Sequence, residues 1–182
     1  VVAIKVLPGS FMHDEMFMTR FRQEAAVAAQ LEHIRILPVY DYGEHEGIPY
    51  IVMRYIYGGT LRDLTQQGPL APDVTMHIVT QVAEALDYAH SREVIHRDLK
   101  PSNIMLDMDA NVYLMDFGTA KLRDRSAQLT GSGIVGTPAY MAPEQSMPGR
   151  LTPAADIYAL GVTLFEMITG HVPYSADTPI VQ

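Results

Sequence analysis

His96-Arg97-Asp98-Leu99-Lys100-Pro101-Ser102-Asn103 is the stretch on which the reading of this chain turns. It sets out a carboxylate, a cation two residues later and an amide five residues later, and Pro101 keeps the run from becoming a helix. Thirteen residues beyond Asn103, Asp116-Phe117-Gly118 offers a second carboxylate, with Gly118 letting the backbone turn sharply after it. Farther on stand Gly136-Thr137-Pro138-Ala139-Tyr140 and Ala142-Pro143-Glu144. Upstream, Val2-Ala3-Ile4-Lys5 puts a single lysine in an apolar, β-branched strand that Pro8-Gly9 ends.

Between these motifs the periodicities place the regular elements. Phe17, Phe21, Glu24, Ala28 and Leu31 share one face of a helix predicted from about Asp14 to Leu31. Val39 to Tyr42 and Tyr50 to Tyr55 read as two strands joined by a polar hairpin, Gly43 to Pro49. Gly58-Gly59 marks a boundary, and Thr60-Leu61-Arg62-Asp63 resembles a capping box opening a short helix. Pro72 opens a longer helix ending near His90. Ile104 to Leu106 and Val112 to Met115 are short β-like runs, and Thr152-Pro153 starts a last helix that Gly170 closes. The order is a β-rich piece with one helix, a glycine pair, then a mostly helical piece, which predicts two unequal lobes.

Composition narrows the function classes. With 48% hydrophobic and 19% charged residues over 182 positions, the chain can bury a sizeable core and is not a disordered tract. The absence of cysteine excludes a disulfide scaffold, a thiolate metal site and a cysteine nucleophile, and fits a reducing compartment. A net charge of −8 with no basic stripe argues against nucleic acid as partner. No apolar run reaches membrane-spanning length; the nearest, Ile157 to Gly170, is broken by Glu166.

Taken in order and at their spacings, these motifs make the chain resemble the eukaryotic-like protein serine/threonine kinases. The resemblance implies an α+β, bilobal protein-kinase-like fold: a small β-rich lobe, partial, at residues 1–53, a hinge at 54–59, and a mainly helical lobe, partial, at 60–182. That larger lobe would hold the catalytic loop 96–103 and the activation segment 116–144. It implies ATP as phosphoryl donor with Mg²⁺ (or Mn²⁺) as cofactor. Lys5 would hold the α- and β-phosphates and pair with Glu24, a carboxylate that would otherwise face a core uncompensated. Asn103 and Asp116 would be oxygen ligands for the metal. Asp98 would accept the proton of the attacking hydroxyl, and Lys100 would steady the γ-phosphate. Ala3, Met53 and Met105 would line the adenine pocket, with Arg54, Tyr55 and Ile56 presenting the hinge backbone.

Other roles also follow from the resemblance. His96 would pack near Phe117 beside Gly118 rather than act as a base, and Asp156 would anchor the catalytic-loop backbone. Glu144 would pair with an arginine beyond this stretch. Arg97 resembles the arginine that grips an activation-loop phosphate, a group that would add a charge of about −1.5 to −2. Thr130 is the first candidate acceptor and Ser132 the second, whereas Thr137 would position substrate. Gly131 to Gly136 satisfies G-x-G-x-x-G literally, but it follows Asp116-Phe117-Gly118 rather than a phosphate-loop strand and is read as activation segment.

A Gly-rich loop and its strands are expected before Val1 and further helices after Gln182, so the chain is read as an internal fragment, weakly active or inactive alone. The wording of Tyr57 to Leu61, Ala85 to His90 and Met141 to Gln145 is closest to bacterial members. The expected partners are protein substrates with Ser/Thr acceptors, with self-association for trans-autophosphorylation, and no nucleic acid or membrane contact within this segment. The expected location is cytoplasmic, in a full-length protein that can carry a single membrane span. A non-catalytic pseudokinase scaffold and a small-molecule phosphotransferase are the rival readings; retention of Lys5, Asp98, Asn103 and Asp116 speaks against the first.

Overall fold

The computed structural model describes residues 1–7, 15–117, 138–149 and 151–174. Three strands, β1 (Val2–Val6), β2 (Val39–His45) and β3 (Ile48–Arg54), form an antiparallel sheet in the order β1-β3-β2. The hairpin is tighter than the sequence implied: β2 runs on to His45, and Glu46 and Gly47, both at positive φ (52° and 77°), make the turn. Helix α1 (Glu15–Ala29) packs on this sheet. Its apolar face buries Phe17 and Phe21, four residues apart as expected, together with Met18 and Ala25, against Leu37, Ile51 and Met53, whereas Ala28 is only partly buried.

A second sheet, β4 (Gly58–Thr60), β5 (Ile104–Asp107) and β6 (Val112–Leu114), belongs to the helical lobe with α2 (Leu61–Thr65), α3 (Pro72–His90) and α4 (Ala154–Thr169). Its core gathers Leu61, Ile78, Leu86, Leu99, Leu114 and Met167. Thr60 caps α2 as expected, with the Asp63 carboxylate accepting from the Thr60 backbone at 2.7 Å. Gly170 ends α4 in the left-handed region, φ 78°. The lobes are stitched by Leu37 N–H to Leu114 C=O and Leu114 N–H to Arg35 C=O, each 2.8 Å. Among the described residues no helix is long and apolar enough to cross a membrane.

The boundary expected at 54–59 is only partly a connector, because Gly58 and Gly59 are already strand and pair with Asp107 and Leu106. The reason is close approach: a Cβ on Gly58 would stand 2.0 Å from the Leu106 carbonyl oxygen. Gly58→Ala therefore has to push β4 off β5 and is expected to destabilise by about 1–3 kcal/mol. An unchanged thermal midpoint would contradict this.

Candidate functional site

The loop carrying Asp98 hangs from one buried carboxylate. Asp156, in the first turn of α4 and 1% exposed, accepts the His96 and Arg97 backbone N–H groups and His90 Nε2, each at 2.8 Å. Asp156 thus holds the loop backbone at two successive N–H groups. The restraint matters because Arg97 sits at φ 70°, a conformation that costs a non-glycine residue energy and needs outside support. His96 is fully buried and packs 4.6 Å from Phe117, ring to ring. Its Nδ1 accepts from Asp98 N–H at 3.3 Å, so its Nε2–H donates to Met115 C=O at 3.0 Å. Both ring nitrogens are committed to backbone, which leaves His96 a structural part.

Asp98 and its neighbours form a compact charged group. Lys100 Nζ donates to both Asp98 oxygens at 2.8 and 2.7 Å. The turn Pro101–Asn103 brings Asn103 back so that its Nδ2 donates to the Asp98 carbonyl (2.7 Å) and carboxylate (3.1 Å). That commits the amide nitrogen and turns Oδ1 away as an oxygen donor. Met115 N–H to Asn103 C=O, 3.0 Å, brings the residue before Asp116 alongside it. An amide oxygen and a carboxylate suit a hard, incompletely dehydrated Mg²⁺, which takes few protein ligands and completes its shell with water and phosphate. Among the described residues there is no cluster of three or more His, Asp or Glu suited to a metal.

Lys5 departs from expectation in its partner. Its ammonium is paired with Asp116, not with Glu24. Asp116, at φ 66° and with its side chain 9% exposed, offers its carboxylate to Lys5 on β1. Glu24 lines the cavity behind, with Phe21, Met53, Met115, Asp116 and Phe117. Ala3 pairs with Met53 across β1 and β3, and Met105 packs against the same apolar group. Ile56 is buried, Tyr55 is exposed, and the Arg54 guanidinium lies 5.6 Å from the Tyr113 ring. Of the candidate adenine residues, Met53 lines the cavity, and Ala3 and Met105 pack in the same apolar group.

Arg97 Nε is buried without a hydrogen-bond partner among the described residues, and Glu144 is exposed. Gly118, Thr130, Ser132, Thr137 and the Gly131 to Gly136 run lie outside the described residues. Tyr140 O–H donates to Glu166 of α4 at 2.5 Å. Burial first, then this bond, pushes the phenol well above its ordinary 10.0. A raised value means the contribution is whole below pH 10.0 and is lost as pH rises towards the folded value, because the unfolded chain gives up its proton first. Tyr140→Phe is expected to flatten this alkaline loss in denaturant titrations between about pH 9 and 11; a slope identical to wild type would refute it. Sequence reasoning passed over Tyr140, Glu166 and His90, since nothing local announces partners 26 or 66 residues away.

The sequence profile of the protein kinase domain matches residues 1–181. The chain is 39% identical over 180 residues to the serine/threonine-protein kinase PrkC of Bacillus subtilis, covering 98% of this chain and 28% of that protein. It is 40% identical to the serine/threonine-protein kinase PknB of Mycobacterium leprae, covering 98% of this chain and 30% of that one. It therefore spans under a third of the length of these curated relatives. The crystal structure of the Mycobacterium tuberculosis PknI kinase domain superposes with a TM-score of 0.79 at 35% identity, covering 100% of this chain and 67% of that one.

Proposed function

Since this chain belongs to the protein kinase domain family, we propose that it is catalytic sequence of an ATP-dependent protein serine/threonine kinase, with residues 1–53 in the small lobe, 54–59 as a hinge whose last two residues already pair with the large lobe's sheet, and 60–182 in the large lobe. The observation that carries the reading is Asp98: a part-buried carboxylate gripped by Lys100 and Asn103 on a loop pinned to Asp156.

The chemistry follows from that grip. A protein Ser or Thr hydroxyl attacks the γ-phosphorus of ATP, the new O–P bond forms, the bond to the β-γ bridging oxygen breaks, and ADP leaves. Asp98 takes the hydroxyl proton, and Lys100 offsets the charge gathering on the transferred oxygens. Lys5 would serve the α- and β-phosphates, and Asn103 and Asp116 would hold the metal. When bound, Mg²⁺ neutralises developing negative charge on phosphate oxygens. Glu24 holds its place in the pocket behind Lys5, and Ala3, Met53 and Met105 face the adenine. Arg97 and phosphorylated Thr130 or Ser132 order the activation segment, Thr137 orients the acceptor, and Glu144 fastens the end of that segment. We assign the reaction to the cytoplasm, where a cysteine-free chain and an ATP-dependent step both fit.

The test is transfer from γ-labelled Mg·ATP to a generic basic protein by the full-length protein, against its Asp98→Asn variant, with analysis of the labelled amino acids. Phosphoserine and phosphothreonine in the wild type alone are expected. ATP binding without label would favour the non-catalytic scaffold, and equal label in both proteins would sink the assignment.

A further inference from the structure

We propose that Gln145 is a positioning residue that couples the 138–149 segment to Asp98, an inference that rests on the kinase reading above. Gln145 lies in the turn Pro143–Ser146, and its side chain spans two backbones. Oε1 accepts the Ala142 N–H at 2.9 Å, and Nε2 donates to the Arg97 carbonyl at 2.9 Å, 48 positions away in sequence. The amide orientation is fixed, because one partner can only donate and the other can only accept.

The bonded carbonyl is not an arbitrary one. Arg97 C=O and Asp98 N–H belong to the same planar peptide unit. Gln145 holds its oxygen, and His96 Nδ1 holds its N–H at 3.3 Å. On the other side, Asp156 Oδ1 holds the Arg97 N–H, so the residue at φ 70° is clamped at both of its peptide groups. The plane that aims the Asp98 side chain is thereby tied to Ala142, and Tyr140, two residues before Ala142, is itself bonded to Glu166. Order in the segment bearing Tyr140 and Ala142 reaches Asp98 through one amide.

Gln145→Glu keeps the shape but sets an oxygen against the Arg97 carbonyl, and Gln145→Met keeps the length with neither bond. Steady-state kinetics of the full-length protein with Mg·ATP and a protein acceptor should show kcat about tenfold lower in both variants, with KM for ATP held within about twofold. Hydrogen exchange at the Arg97 and Asp98 amides should rise. The proposal is overturned if kcat of Gln145→Glu stays within about twofold of wild type, if exchange is unchanged, or if the loss falls wholly in KM for the acceptor. Absence of transfer in the wild type would overturn the kinase reading instead, and exchange alone would then decide whether Gln145 holds the loop.

Discussion

Asp98→Asn is expected to lower phosphoryl transfer by about 10²- to 10⁴-fold, the range for loss of a positioned proton acceptor. The substitution removes the oxygen pair that Lys100 Nζ grips, at 2.8 and 2.7 Å, and sets an NH₂ group, a donor, beside an ammonium. Lys100 then loses its fixed place as well, so the loss includes charge offset on the transferred oxygens. The side chain is 18% exposed and occupies the same volume as Asn, so folding is expected to survive. Affinity for a non-hydrolysable ATP analogue should remain within about threefold of wild type, because the loss is confined to the transfer step. Single-turnover kinetics on the full-length pair checks this; rates within about tenfold of each other would remove Asp98 from the proton-accepting role.

Asp156→Ala acts on stability and on the same loop. It strips the acceptor from two backbone N–H groups and from His90, in a position that water does not reach. Each orphaned buried donor costs roughly 1–3 kcal/mol, and together they are expected to cost about 3–5 kcal/mol. That is a large part of the total stability of a domain, roughly 5–15 kcal/mol. Asp156→Asn should fall between, since Oδ1 still accepts from Arg97 while the new NH₂ faces the His96 N–H. Urea unfolding followed by circular dichroism measures both. A loss below about 1 kcal/mol in the alanine variant would show that the loop backbone has other support.

Legibility in the sequence followed the range of each interaction. The Thr60 capping box, the left-handed Gly170 and the run of α3 from Pro72 to His90 rest on residues within a turn or two of one another, and all were expected. So was part of the buried face of α1, Phe17 and Phe21, because spacing decides which side chains share a face, while Met18 and Ala25 joined it unannounced. The contact of His96 with Phe117 and the bonds to Asp156 lie beyond that range, since composition and periodicity say nothing about contacts 21 or 60 residues apart.

What the sequence by itself determined about this protein is therefore its inventory and order: Lys5, Glu24, Asp98, Lys100, Asn103 and Asp116 on two unequal lobes. Only the tertiary structure decided the pairing among them. Lys5 meets Asp116 across 111 positions rather than Glu24, Gly58 fits against Leu106 with no space for a methyl group, and Gln145 reaches the peptide before Asp98. The physical reason is that a charge or an amide does not carry its partner in its own chemistry. Backbone turns at Arg97 and Asp116, and the packing of α4 beneath the loop, determine which complementary group lies within hydrogen-bond reach.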